Sequence, residues 1–436
     1  MITRIEINGF KSFHEFKLDL APLTLLTGNH KAGSKDLFEA LTLLSQLTQV
    51  NALKAFHSVH PTPKSVASPH RNLKTNVSME FAVELLLDPY IKGPRGSVEL
   101  LRYHRLRYEI SIIFWSPLPT IIYESLLFIP KSTDDWSRRY PINWVNQPAK
   151  ALPLLIDIAD QSYDGFVRSY DDQFKEEHTV TDDRSSILSK VIDLRFIHAL
   201  AVKQALSRWQ HIQWSADTLS KPSTLQSLPH IDALGNNLAA TLYRLSRPNL
   251  SMLEHIAYDV SQVFPFVSAI HIEENASDNS ILLKVANQEG EYISADTLDD
   301  RQLQAIAFAT MAQDHVYGGT FTIEHPEKGI DDIRIQALFE RLLNSFPNPP
   351  LNYENGALEE QPLLRQLLLT TDSPTLIQSH FSQMFQEHII VYWITTQAYR
   401  NNQQSYRVTY MKVVETDPHP DTTACSARSV IDALKS

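Results

Sequence analysis

The residues best able to do chemistry follow a short apolar run near the N-terminus: Gly28-Asn29-His30-Lys31-Ala32-Gly33-Ser34-Lys35-Asp36. A loop of the form G-x-x-x-x-G-K-[ST] between a strand and a helix cradles phosphate. Its amides and the helix N-terminus hold oxygens, its Lys reaches the terminal phosphates, and its hydroxyl holds Mg²⁺. Here both glycines keep that spacing, but the last pair is inverted to Ser34-Lys35. Adjacent helical residues point about 100° apart, so Lys35 is expected to aim away from a phosphate that Ser34 is too short to reach. Asp36-Leu37-Phe38-Glu39 also fits a D-x-x-E capping box, which would put a carboxylate at the positive helix end. The plainer alternative is a strand-to-helix turn that holds no ligand.

The elements around this loop follow from periodicity. Ile2–Phe10 and Phe16–Leu20 alternate apolar and polar residues, and Leu23–Leu26 is a buried run, so three strands lead into the loop. Leu37, Leu41, Leu44 and Leu47 predict a helix over Asp36–Gln49, and His57–Pro69 reads as a surface loop. A β meander is predicted over Val77–Leu87, Val98–Phe114 and Thr120–Ile129. Leu188–Trp214 is predicted helical, with two more helices in Asn236–Phe264 parted at Arg247-Pro248-Asn249. Strands are expected at Val267–Ile272, Ser280–Ala286 and Tyr292–Ile293, then a helix at Asp299–Ala312 and a buried strand at Thr320–Ile323. A helix at Asp332–Phe346, a loop at Asn348–Glu360, a strand at Leu367–Thr370 and a hairpin of Ile389–Thr396 with Tyr406–Val414 complete the pattern.

Ile5-Glu6-Ile7-Asn8-Gly9-Phe10-Lys11-Ser12-Phe13, the glycine loop and Leu37-Phe38-Glu39-Ala40-Leu41 together resemble the N-terminal half-motif of RecF, SMC and OLD-like ABC ATPases. That branch includes many AAA-type proteins of prokaryotic defence and repair loci, whose loop usually reads G-x-N-G-x-G-K-S-N. Four further segments match in the family's order. Gly235-Asn236-Asn237-Leu238-Ala239 resembles the start of the helices before the signature. Ser294-Ala295-Asp296-Thr297-Leu298 resembles the signature S-D-G-T-L, and Thr322-Ile323-Glu324-His325-Pro326-Glu327 the Walker B strand I-E-E-P-E. Leu369-Thr370-Thr371-Asp372-Ser373-Pro374 resembles the switch T-T-H-S-P.

The resemblance implies an α/β fold: an ABC-ATPase-like P-loop head with a mixed sheet, an antiparallel β subdomain and an inserted helical lobe. It divides the chain into an N-terminal ATPase-like lobe (1–150), a helical insertion (151–265) and a C-terminal lobe with signature, Walker B and switch (266–436). Gly28 to Asp36 would be the nucleotide-binding residues. Glu324, His325 and Asp372 would be the catalytic ones, Glu324 also the metal-associated one, and Ser294, Ala295, Asp296 and Thr297 would face a partner. The reacting positions have nevertheless changed. The family's Lys falls on Ser34, its Mg²⁺-binding hydroxyl on Lys35, its signature glycine on Asp296, its catalytic Glu on His325 and its switch His on Asp372. Only Glu324 is kept, while the flanking framework stays readable. Losing one preorganised charge typically costs about 10²–10³ in rate, so loss of three predicts no significant hydrolysis.

Three functions are weighed. The first is a pseudo-ATPase, with no cofactor, acting as a homodimerising or hetero-oligomerising scaffold or regulatory subunit for an effector in a defence or DNA-repair complex that meets DNA or RNA. The second is a living ATPase that binds ATP and Mg²⁺, with Lys31 reaching the phosphates and His325 orienting water; Asp36, Asp296 and Asp372 would then stand near a polyanion. The third is a nuclease of the OLD kind, for which roughly 60 residues after Asp372 are too few to build the extra domain.

Composition narrows the classes. At 436 residues, 43% hydrophobic and 20% charged, the chain can bury one large core or two. No long apolar run suggests a membrane span, and the strand-like N-terminus and lone Cys425 favour the cytoplasm. A net charge of −11 argues against a wholly nucleic-acid-coating surface but leaves room for a local basic one. His57, His60 and His70 have no acidic partners nearby in sequence, and His380 and His388 read as surface residues. Asp171 to Glu177 reads as a solvated face, as does the Asp417–Asp421 pair, and Trp209 and Trp214 read as packing.

Overall fold

The computed structural model describes residues 1–28, 32–68, 78–93, 96–115, 118–158, 164–179, 184–227, 230–249, 251–275, 277–314, 317–328, 330, 334, 337, 363–380, 389–401, 404–416 and 423–435. The fold is α/β, with two large sheets and helices between and around them, as the sequence anticipates. The predicted helix Asp332–Phe346, the loop Asn348–Glu360, His70, His388 and Asp417–Asp421 lie outside the described residues, apart from Arg334 and Ala337 of that helix. No described helix is long and apolar enough to cross a membrane.

The first sheet is antiparallel, eight-stranded and built mainly from the N-terminal third. Its order runs Lys175–Thr179, Asp164–Arg168, Ile156–Ile158, Leu118–Phe128, Arg105–Trp115, Ser78–Leu86, Ile2–Asn8, Phe16–Asp19. Alternation in Ile2–Asn8 puts Ile5 and Ile7 in the core while Glu6 and Asn8 face outward. The second sheet runs Trp209–Ile212, Gly319–Glu324, Arg365–Thr370, Leu23–Gly28, Ile389–Asn401, Gln404–Glu415, Cys425–Ser426. Its first five strands are mutually parallel, and the next closes a hairpin.

This parallel core explains the continuous apolar runs in the sequence. A parallel sheet is covered on both faces, so successive side chains must enter two different cores. Leu26, Leu368, Ile390 and Tyr392 join the core shared with the antiparallel sheet and the helix Ala32–Leu47. Leu23, Leu25, Leu367, Leu369 and Val391 join the other, under the helices Leu238–Ser246, Ser251–Ser261 and Asp300–Gln313.

Some elements depart from the pattern read in the sequence. His57 sits on a helix, Ala52–Val59, capped by Asn51, rather than in a loop. The span 151–265 contributes three strands to the antiparallel sheet before its helices, and Trp209–Ile212 is a strand rather than the end of a helix. Those strands are short and polar on one side, too brief for periodicity to register. The parting at Arg247–Asn249 falls where expected, between Leu238–Ser246 and Ser251–Ser261. Trp209 and Trp214 are buried, their indole N–H groups donating to Thr42 Oγ1 and to the Asp232 carbonyl.

Two buried charges anchor the antiparallel sheet to the segments that flank it. Arg105 is fully buried and donates to both oxygens of Asp134, at 2.7 and 3.0 Å, and to Thr3 Oγ1 at 2.6 Å. Glu124 is also fully buried, accepting from Tyr108 and from the amides of Ile187 and Leu188.

Candidate functional site

Parallel register delivers the candidate segments to one edge. Leu26 lies opposite Thr370, Thr370 opposite Glu324, Ile323 opposite Ile212, and Gly28 opposite Ile394. The glycine loop, Glu324-His325 and Thr370–Asp372 therefore leave neighbouring strands at their C-terminal ends, where open parallel sheets bind ligands.

At the loop, both glycines are steric requirements. A Cβ on Gly28 would collide with the backbone oxygen of Ile394, and one on Gly33 would stand 2.7 Å from Thr409 Cγ2 and 2.8 Å from Ile394 Cγ2. The helix thus begins packed against the hairpin Ile389–Asn401/Gln404–Glu415. Asn29, His30 and Lys31 lie outside the described residues, as does the side chain of Ala32. Ser34 is buried, whereas Lys35 is exposed with its Nζ 4.0 Å from Glu39 Oε1.

The capping role expected of Asp36 is not what forms. The helix starts at Ala32, so Asp36 and Glu39 lie inside it, and its first turn carries no acid. Asp36 instead accepts from Ser12 Oγ and lies 3.4 Å from Lys11 Nζ, which also pairs with Glu39. Ser12 extends the link: its Oγ accepts from Thr409 Oγ1 at 2.7 Å, and its carbonyl from the Thr409 amide at 3.0 Å. One polar chain therefore joins the N-terminal sheet, the helix and the hairpin beside the loop. Lys11 and Ser12 were visible in sequence only as framework.

At the neighbouring strand, His325 holds a left-handed backbone, φ +48°, rare for a residue with a Cβ. Its amide donates to Thr370, both backbone O (3.0 Å) and Oγ1 (3.2 Å), which fixes the turn. Its buried imidazole sets Nδ1 3.3 Å from Glu327 Oε1 and 3.5 Å from Asp372 Oδ2. Glu327 Oε1 also accepts from the Asp372 amide at 2.9 Å. Burial opposes ionisation of Glu327, but the His325 and Asp372 hydrogen bonds outweigh it and leave this carboxyl below its ordinary pKa. Its second oxygen, Oε2, is buried without a hydrogen-bond partner. Sequence reasoning put His325 and Asp372 in the site but passed over Glu327, although it closes the quoted Walker-B-like segment.

Glu324 is half exposed, and the His211 imidazole lies beside it, its Nε2 3.9 Å away. His211 comes from the strand Trp209–Ile212; its Nδ1 is 3.0 Å from Thr322 Oγ1, and its ring packs 5.5 Å from that of Phe38. Burial lowers its pKa, with Glu324 opposing, so the imidazole is neutral at neutral pH. No motif pointed to His211, because its strand was read as helix. These groups open into a cleft of ≈ 210 Å³ that Arg301, Gln304 and Phe308 of the helix Asp300–Gln313 also line. Such a set can orient a water or a polar ligand. Among the described residues, no group of three or more His, Cys, Asp or Glu is placed to hold a metal ion.

Ser294, Ala295, Asp296 and Thr297 do not line this cleft. They form the end of the strand Tyr292–Ser294 and a single 3₁₀ turn with Asp296 exposed. Asp299 then caps the next helix in a reciprocal box with Gln302.

No protein-family model matches the chain, and no curated protein matches it. Among solved structures, the chain is similar to an SMC head bound to the C-terminal winged-helix domain of ScpA, at 10% identity over 94% of this chain and 98% of that one, TM-score 0.48. It is also similar to the SMC head domain from Thermotoga maritima, at 7% identity over 95% and 99%, TM-score 0.39. A third is an Smc head with an extended coiled coil, derived from Pyrococcus furiosus and bound to the C-terminal domain of ScpA, at 9% over 100% and 98%, TM-score 0.46. At such scores these are likenesses of outline, and the fold class stands on the strand order above.

Proposed function

We propose that this chain is a catalytically degenerate ABC/AAA-type ATPase-fold protein, a dimerising scaffold or regulatory subunit of a prokaryotic defence or DNA-repair complex. The observation that carries the reading is the pair at the head of the first long helix. A buried Ser34 stands where a phosphate-binding Lys is needed, and Lys35 points to solvent beside Glu39. Among the described residues, the other cation near the loop, Lys11, is paired with Asp36 and Glu39. These described residues do not fit Mg²⁺–ATP in the manner of the family the sequence resembles. Assembly through the heads, with an exposed Asp296 in place of the signature glycine, would then be independent of nucleotide.

Calorimetric titration of the purified chain with Mg²⁺ and a non-hydrolysable ATP analogue tests this. Silence up to millimolar analogue is expected, and micromolar binding overturns the reading. One observation favours a second reading, an ATP-binding or slowly hydrolysing ATPase that switches an effector such as a nuclease. The His325 imidazole is held by Glu327 and Asp372 as a general base would be. On that reading phosphate release is measurable and disappears in His325→Ala.

A further inference from the structure

The hairpin that packs on the glycine loop continues past the sheet. Ile389–Ile394 pairs with Leu23–Gly28, but Thr395–Asn401 and Gln404–Tyr410 pair, among the described residues, only with each other. This leaves a two-stranded arm that packs on Ser12 through the buried Thr409 and is exposed at Gln397–Arg400, Arg407 and Tyr410. Register places Tyr399 opposite Tyr406, Thr395 opposite Tyr410 and Trp393 opposite Lys412, so these side chains share one face. Tyr399 and Tyr406 stack, with ring centroids 5.6 Å apart and planes at 13°, and the hydroxyls of Tyr399 and Tyr410 lie 2.9 Å apart. Tyr399 and Tyr410 are 38% and 39% exposed. Arg407, opposite Ala398, and Arg400 belong to the other face, and Arg400, Arg407 and Lys412 are all exposed.

The arm's charge is opposite in sign to that of the whole chain. The chain carries a net −11, yet between Glu387 and Glu415 there is no Asp or Glu. Within that acid-free run the only charged residues are Arg400, Arg407 and Lys412, interleaved with Tyr392, Trp393, Tyr399, Tyr406 and Tyr410. An isolated hairpin is marginal in water unless packing or a ligand supports it. Three cations with no acid beside them on the ribbon would attract a polyanion, and exposed tyrosines add a stacking platform that any base can use.

We infer that this arm is a docking site for single-stranded nucleic acid. Bases would stack on the Tyr399/Tyr406/Tyr410 face, and Lys412, with Arg400 and Arg407 reaching round the narrow ribbon, would meet the phosphates. A single strand is favoured over a duplex because duplex bases are already stacked on one another and offer the tyrosines no ring face. The inference stands independently of whether the loop beside Gly33 binds nucleotide.

The test is fluorescence anisotropy of the full-length chain with a labelled oligo(dT) of about 20 nucleotides, long enough to cover such a site, and with the matching duplex. Single-strand binding is expected to exceed duplex binding. Loss of base stacking in Tyr399→Ala/Tyr410→Ala should weaken it about 10-fold or more. Arg400→Glu/Arg407→Glu should weaken it at least as much, while Tyr399→Phe/Tyr410→Phe should retain most of it. Raising salt from about 50 to 200 mM should weaken wild-type binding roughly 10-fold, as expected for two or three phosphate contacts. Circular dichroism confirms that each variant is folded. Absence of binding at high micromolar protein, equal binding of duplex, or folded variants that bind like wild type would each overturn the inference. So would tyrosine variants that change only the oligomeric state, which would make the arm a protein interface.

Discussion

Replacing Glu124 by Gln should remove a pH dependence from the stability of this protein. Glu124 projects from the strand Leu118–Phe128 and is fully buried, with the Tyr108 hydroxyl at 3.0 Å and the amides of Ile187 and Leu188 at 2.7 and 2.9 Å. Burial is the largest influence on its carboxyl and raises the pKa from 4.5 to about 7, against the pull of those hydrogen bonds. Between those values the folded chain keeps a proton that the unfolded chain releases. The contribution is therefore fully present below the unfolded pKa and lost as pH rises through the folded one. A displacement of this size corresponds to ~3 kcal/mol. The substituted amide cannot titrate, and whatever it costs in the pocket is the same at every pH. Urea unfolding of both proteins at pH about 5 and about 8 isolates the titration as the change in their stability difference. Wild type should lose ~2–3 kcal/mol relative to Glu124→Gln across that interval. A difference constant within about 0.5 kcal/mol would refute the reasoning and mean that the two amides hold the carboxylate ionised throughout.

Gly28→Ala drives a methyl into the Ile394 carbonyl at a backbone φ of +157°, so chemical denaturation should show a loss of ~2 kcal/mol or more, and the hairpin should lose hydrogen-exchange protection first. Arg365 is buried, with its pKa lowered by burial to about 10, and it donates to the carbonyls of Met311, Ala312, Asp314 and Tyr317 around the end of the helix Asp300–Gln313. Arg365→Met strands those carbonyls and should cost ~2–4 kcal/mol in the same assay, whereas a change within about 0.5 kcal/mol would mean that water replaces the guanidinium. Glu327→Gln should destabilise the protein above the ordinary carboxylate range, and the deficit should vanish as pH falls, because the depressed native pKa of Glu327 is what supplies the extra stability. Thermal melts at neutral and acidic pH read that difference directly.

Much of the framework was legible because it rests on period and punctuation. The Pro in Arg247-Pro248-Asn249 forces a break that no tertiary contact could remove, and it parts two helices where it should. The parallel strands announced themselves as apolar runs because both of their faces are covered. What could not be read was set by partners distant in sequence. Asp36 looks like a helix cap from its neighbours alone. In the folded chain it lies inside the helix and pairs with Lys11 and Ser12, from a loop more than twenty residues earlier. His211 enters the site because its strand lies beside Thr322, a pairing more than a hundred residues apart, and nothing local marks it.

The same contrast bears on the chemistry. Backbone geometry accounts for the glycines: Gly28 and Gly33 leave no room for a side chain, and Glu324 stands at its strand end. The basic groups at this edge make contacts within the protein. His325 turns to Glu327 and Asp372, and Lys11 turns to Asp36 and Glu39. A polyanion entering this edge would have to compete with carboxylates for Lys11 and for the His325 imidazole. Each pair it broke would leave a partly buried carboxylate without its hydrogen bond, a cost of about 1–3 kcal/mol apiece before any new contact formed. On the proposed reading this arrangement opposes nucleotide at the edge, whereas Arg400, Arg407 and Lys412 on the arm beyond the sheet have no acid beside them in sequence.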